Sequence, residues 1–291
     1  MTRKHLVTQA MIDLYDEYTH LTLDRRRFID ALAKLAGGTA AAAAIVPLLE
    51  ARSAAAAIVA ADDARIAAAD IAYDGASGKL MGYLARPAGA EGPLPAVIVI
   101  HENRGLNEHI RDVARRAALA GFLALAPDLL SPAGGTPADE GQARDLLRGL
   151  EPEAVEADLV ATAAFLRGHE LGNGKVGCIG FCWGGGMAGA LAVADPELDA
   201  AVVFYGSQPR ADRVPRIRAR LLLHYAGLDE RINAGIPDFE AALKEAGTDY
   251  QLHMYEGVNH AFHNDTSQAR YDAEAASLAW ERTIAFLEAL A

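Results

Sequence analysis

Three side chains that can pass one proton among themselves stand at marked places in this chain: the Cys182 thiol, the Asp229 carboxylate and the His260 imidazole. Cys182 is the centre of Gly180-Phe181-Cys182-Trp183-Gly184. The short run 175–179 before it reads as a buried strand, and the small-residue run 184–192 after it reads as a tightly packed helix. A sharp strand-to-helix turn strains the backbone of its central residue and pushes that side chain into the open. Glycines two positions either side keep such a turn free of clashes. A helix N-terminus beneath the thiol also favours its ionised form. Taken alone, the motif fits a Gly-rich turn with a buried cysteine equally well. The acid and the histidine change that balance. A strand-like run over 220–226 leads into Gly227-Leu228-Asp229, and another over 250–255 leads into Glu256-Gly257-Val258-Asn259-His260. A thiol is mostly protonated at neutral pH, an imidazole can take its proton, and a carboxylate holds the ring in the useful tautomer.

A fourth element completes the chemistry. The apolar strand 95–100 runs into His101-Glu102-Asn103-Arg104-Gly105. In a fold ordered nucleophile, acid, histidine, the loop after this strand supplies one backbone N–H to the developing oxyanion. The residue after the nucleophile supplies the other. The donors are then Asn103 and Trp183, and losing one such donor costs about 100- to 1000-fold in turnover. Glu102 is an acid on the same loop, which fits a carboxylate aimed at the same pocket or a solvated loop glutamate.

These residues need a scaffold that delivers them to one edge. The hydropathy pattern predicts a hairpin from strands 68–73 and 79–85, then strand 95–100, helix 110–120, strand 122–126 and helices 137–150 and 153–168. Strand 175–180, helix 185–194, strands 200–205 and 220–226, helix 237–246, strand 250–255 and helix 270–289 follow. Strands alternating with helices call for a mostly parallel sheet covered on both faces, and the nucleophile–acid–histidine order makes it an α/β-hydrolase fold. The body is expected over residues 68–291, preceded by an N-terminal extension over 1–67. The loop 131–136 should border the pocket.

From about Ala68 to the C-terminus the chain resembles the dienelactone hydrolase family. The resemblance is carried by the G-x-C-x-G elbow, His101-Glu102, Ala126-Pro127-Asp128-Leu129, Phe204-Tyr205-Gly206, Gly227-Leu228-Asp229 and Asn259-His260-Ala261-Phe262. It implies a hydrolase of esters or lactones in which Cys182, Asp229 and His260 form the triad and the acyl group passes through the enzyme. It also implies that Glu102 contacts the resting thiol and helps activate it. The founding enzymes grip a substrate carboxylate with two arginines, and the matching neighbourhoods here read Leu130-Ser131-Pro132 and Asn264. A guanidinium fork is the natural partner of a carboxylate, so the expectation is a preference for neutral esters or lactones. The pocket is expected to be lined by Trp183, Tyr205, Leu130 and Phe262. Arg104 is either a substitute cation or a structural arginine.

The bulk numbers exclude several alternatives. A net charge of −12 over 291 residues argues against nucleic acid or an anionic membrane as partner. With only Cys178 and Cys182 there is no disulfide framework and no Cys-based zinc site. His101, His224, His253, His260 and His263 show no ligand spacing on one element, so neither metal nor organic cofactor is expected. Two other function classes compete with the hydrolase. A ligand-binding protein on a hydrolase scaffold would not need the intact trio. A redox pair of Cys178 and Cys182 would need side chains that point toward each other across the turn.

The extension carries two readings. Leu23-Asp24-Arg25-Arg26-Arg27-Phe28-Ile29, the Ala/Gly-rich stretch from Ala31 to Leu49 and the small residues Ser53-Ala54-Ala55 resemble a twin-arginine export signal and its cleavage site, which implies a periplasmic enzyme. The alternative is a cytoplasmic protein with a retained helical arm, with Tyr15, Tyr18 and Leu21 packing on the body or on a second subunit of a homodimer. Lys34, Gly37-Gly38 and Pro47 weaken any span of the ~20 apolar residues that a stable membrane anchor needs.

Overall fold

A computed structural model of the chain describes residues 6–20, 23–50 and 57–291. Three helices come first: α1 (Gln9–His20), α2 (Arg25–Ala36) and α3 (Thr39–Leu49). The body then runs β1 (Ile66–Gly75), β2 (Gly78–Pro87), β3 (Leu94–Ile100), α4 (Glu108–Leu119), β4 (Leu123–Asp128), α5 (Glu140–Arg148) and α6 (Pro152–Arg167). It continues with β5 (Gly172–Phe181), α7 (Trp183–Ala194), β6 (Ala200–Phe204), β7 (Arg220–Ala226), α8 (Glu230–Asn233), α9 (Ile236–Ala246), β8 (Tyr250–Tyr255) and α10 (Ala273–Leu287).

The eight strands form one sheet in the order β1-β2-β4-β3-β5-β6-β7-β8. β1, β2 and β4 pair antiparallel, and every pair from β4 through β8 is parallel. This is the expected α/β-hydrolase architecture. Side chains alternate between the two faces of each strand. Val97, Val99, Ile179, Phe181, Val202 and Phe204 go to the face covered by α4 and α10. Ala96, Ile98, Ile100, Val176, Cys178 and Val203 go to the face covered by α6, α7 and α9. Cys178 therefore lies in the opposite face's core from Cys182, both thiols are free, and burial pushes the Cys178 pKa up. The two point away from each other, which removes the redox-pair reading.

The body begins earlier than residue 68. β1 starts at Ile66, and Val59 packs in the core beside β2 and α4. The Asp112 carboxylate on α4 accepts from the Ile58 and Val59 N–H groups. α8 was absent from the predicted elements, because four residues carry no readable period; Asp229 caps it, accepting from the Ile232 N–H at 3.2 Å.

The N-terminal helices have a small core of their own, in which Tyr15, Phe28, Leu32, Ala42 and Leu49 are all within 2 % of full burial. Asp24 caps α2 by accepting from the Arg27 N–H, and Gly37 ends it in the left-handed conformation. No single helix among the described residues is long and apolar enough to cross a membrane; α2 and α3 would pass only as a pair bent by 109°. Leu21 and Ser53-Ala54-Ala55 lie outside the described residues.

Candidate active site

The elbow forms as the glycines require. Cys182 has φ 57° and ψ −117° at the junction of β5 and α7, and its N–H donates to the Phe204 carbonyl at 3.0 Å. A β-carbon on Gly180 would sit 1.9 Å from the Gly184 oxygen, and one on Gly184 would sit 2.4 Å from the His101 oxygen. Both glycines are there because backbone passes against backbone. Trp183 is the first residue of α7, so its N–H has no acceptor within the helix.

The acid and histidine arrive from neighbouring strand ends. Gly227 N–H donates to the Tyr255 carbonyl and Leu228 N–H to the Val258 carbonyl, which ties the β7 loop to the β8 loop. Across this tie, His260 Nδ1 lies 2.5 Å from Asp229 Oδ2. Both residues are buried. Burial alone would lower the His260 pKa, but the Asp229 carboxylate and the Cys182 sulfur outweigh it and raise the value to about 10. Burial would raise the Asp229 pKa, and the facing His260 holds it below the ordinary carboxylate value.

The loop after β3 is fixed by His101, whose Nδ1 donates to the Glu102 carbonyl at 2.7 Å while its ring stacks on Trp183 at 5.4 Å. Glu102 is buried on this loop. Its carboxylate accepts from the Asn264 amide at 2.6 Å, and the Asn264 oxygen accepts from Thr266 N–H and Oγ1. Asn264 stands where the founding enzymes have an arginine, and here it serves as a clamp on Glu102.

The sulfur's hydrogen bond runs elsewhere than expected. His20, the last residue of α1, places Nε2 3.0 Å from Cys182 Sγ, and its ring meets the His260 ring edge to face at 4.7 Å. Burial pushes the His20 pKa well below its ordinary value, with the His260 charge adding to the effect, so the ring is neutral. The expected resting contact of Glu102 with the thiol is not among the hydrogen bonds of the described residues; Asn264 has taken the carboxylate.

The same helix seals the site along its length. Asn103 Nδ2 donates to the Thr19 carbonyl, Arg270 Nη1 donates to Asp16 at 2.8 Å, and the Arg144 guanidinium sits 5.3 Å over the Tyr18 ring. Arg104 is buried, donates to the Tyr15 hydroxyl and pairs with Glu140 at 3.3 Å. With these partners it is not among the residues that line the cavity beside Cys182.

Under α1 remains a cavity of about 190 Å³ lined by Thr19, His20, Asn103, Arg144, Leu147, Arg148, Cys182, Trp183, Tyr205, Ser207, Arg231, Ile232 and His260. The expected pocket residues divide. Trp183 and Tyr205 reach this wall, whereas Leu130 packs behind it with Ala143 and Leu147, and Phe262 packs behind Tyr205 with ring centroids 5.4 Å apart. The cations of this wall come neither from the two positions where arginine is missing nor from Arg104. Arg144 and Arg148 come from α5 and Arg231 from α8.

Comparison with known proteins accords with this geometry. Residues 80–291 match the dienelactone hydrolase family. The chain belongs to that family. A carboxymethylenebutenolidase of Pseudomonas putida is 34% identical over 231 residues, which is 75% of this chain and 94% of that protein. Among solved structures, a Klebsiella pneumoniae protein described as a dienelactone hydrolase superposes with a TM-score of 0.69 at 32% identity, over 77% of this chain and 98% of that one. A dienelactone hydrolase-like promiscuous phosphotriesterase from metagenomic libraries gives 0.71 at 25% identity, over 78% and 99%. As a dienelactone hydrolase family member, the chain is a hydrolase acting on ester or lactone bonds. Sequence reasoning missed His20, Thr19 and the three arginines; Tyr15 and Tyr18 at helical spacing were the signal that α1 packs on something.

Proposed function

We propose that this hydrolase works through a Cys182–His260–Asp229 triad and an acyl-enzyme intermediate. The observation that carries the reading is the strained, buried Cys182 lining one small cavity together with a histidine already bonded to its acid at 2.5 Å. The thiolate attacks the carbonyl carbon, and the backbone N–H groups of Asn103 and Trp183 hold the oxyanion. His260 gives its Nε2 proton to the leaving alkoxide, forming the thioester. A water then loses a proton to His260, attacks the thioester and frees the acid and the thiol. Glu102 is read as the carboxylate that, once released from Asn264, turns toward the sulfur. Turnover requires α1 to withdraw His20 from the thiol, since a cavity of about 190 Å³ leaves little room for a substrate beside it.

The substrate class follows from the wall. Arg144, Arg148 and Arg231 favour an ester or lactone carrying an anionic group near the scissile bond. Cys182→Ala should lower hydrolysis on the order of 10⁴-fold or more with an unchanged melting temperature, while wild-type turnover in that variant would rule the triad out. A higher kcat/KM for a neutral lactone than for its carboxylate analogue would refute the anionic substrate.

A further inference from the structure

We propose that His20, Cys182 and His260 form a binding site for a borderline-soft divalent cation, best served by Zn²⁺, which locks α1 over the nucleophile and silences it. The silencing rests on Cys182 being the nucleophile; the metal site does not.

The three ligand atoms, His20 Nε2, Cys182 Sγ and His260 Nε2, all lie within 4.8 Å of one another, with His20 Nε2 and Sγ at 3.0 Å. Bonds of about 2.0–2.3 Å in a tetrahedral zinc site imply ligand–ligand edges of roughly 3.3–3.6 Å, which these separations bracket. Two imidazoles and one thiolate are the donors that such a cation prefers.

The surroundings of the two rings are those of metal-ligating histidines. His260 commits Nδ1 to the Asp229 carboxylate, and His20 commits Nδ1 to the Asp16 carbonyl at 2.9 Å. Each ring thereby turns Nε2 toward the sulfur. A ligating histidine is held in the same way by a carboxylate or carbonyl behind it. The sulfur and the His260 Nε2 share a single proton, which cannot bond all three atoms together. His260 Nε2 is buried and has no hydrogen-bond partner, and a cation would occupy all three ligand atoms at once.

The charges and protons balance. Entry of one M²⁺ forms one M–S and two M–N bonds and releases the single proton that Cys182 and His260 share. The Cys182 thiolate and the Asp229 carboxylate then offset the two positive charges. The fourth coordination position faces the cavity, where water or a small anion can enter. Ligand spacing within single elements does not reveal this set, because His20 lies 162 residues before Cys182 and on a different helix.

The test titrates the reduced full-length chain, stripped with a chelator, with Co²⁺ and then Zn²⁺. One equivalent of Co²⁺ should give a thiolate-to-cobalt charge-transfer band that Zn²⁺ displaces, and Zn²⁺ should inhibit ester hydrolysis with the same one-to-one stoichiometry. His20→Ala and His260→Gln should each weaken cobalt binding by at least about 100-fold, the upper end for loss of a mere supporting partner of a ligand. Far-UV circular dichroism and melting confirm that the variants are folded, and His260→Gln removes a ligand that lies on the loop after β8 and leaves the sequence of α1 unchanged. No charge-transfer band in folded wild type, or wild-type cobalt affinity in folded His20→Ala, would overturn the site. If the band appears and depends on His20 while metal-free Cys182→Ala still hydrolyses ester, the site stands and the nucleophile reading fails. If the band is absent while Cys182→Ala is inactive, the triad stands and the site fails.

Discussion

The β7 and β8 loops and helix α1 both place a side chain at the sulfur, yet they do so by different physics. Asp229 and His260 sit at the ends of neighbouring parallel strands, so the sheet itself fixes their separation, and two backbone hydrogen bonds tie their loops together. His20 reaches the same point from outside the sheet, carried by a helix that docks through Tyr15, Asp16, Tyr18 and Thr19. The first arrangement is built into the fold. The second depends on a docking surface and can be undone without disturbing the sheet.

Breaking the two regions separately should therefore give different phenotypes. The largest effect is expected within the sheet loops. His260→Ala should lower kcat by on the order of 10⁴-fold or more. Asp229→Asn should cost less than the roughly 10⁴-fold seen for the same change in a serine triad, because a thiolate needs less help from an orienting acid. Steady-state kinetics on an aryl ester ranks the two, and the reverse order would break the assignment of roles.

A smaller effect, on stability, is expected in the arm. Tyr15 is 1 % exposed and packs against Phe28 and Arg270. Tyr15→Ala should cost about 3 kcal/mol, confined to the unfolding of helices α1–α3. Hydrogen exchange should then rise in α1 while β5 and β6 keep their protection. Uniform loss across the sheet would show that the arm and the body unfold as one unit.

These contrasts also explain what the sequence could disclose. The elbow was readable because Gly180 and Gly184 each answer a backbone contact that only glycine permits. Asp229 and His260 were readable because Asp229 follows an apolar strand and His260 an alternating one. The cavity wall was not, since Arg144, Arg148 and Arg231 lie on solvent-polar helices where arginine ordinarily means only a solvated face. Leu130 and Phe262 were placed one layer too far forward, because an apolar residue next to a catalytic loop fits a core as well as a pocket. His20 carried no signal of its own, since the docking angle of a short helix is set by tertiary contacts. Spacing along one element says nothing about a ligand set assembled from two.

The smallest effect is one of pH. In the folded, metal-free chain the His260 pKa is raised from 6.5 to about 10 by Asp229 and Cys182 against the opposing effect of burial. The folded state thus binds that proton more tightly than the unfolded state. Its contribution to stability is fully present below about pH 6.5 and is lost as the pH rises toward about 10. The difference in melting temperature between wild type and His260→Gln should narrow over that window, measured with a chelator present. A difference that widens with pH would mean that His260 is neutral at rest.

The central claim is that Cys182 forms a covalent acyl intermediate. Wild-type enzyme mixed with an activated aryl ester, acid-quenched in the millisecond range and digested, should yield the peptide containing Cys182 heavier by one acyl group, and His260→Ala should slow the clearance of that adduct. Acyl groups found on another residue, or release of the aryl product in a burst with Cys182 unmodified at every time point, would contradict the account.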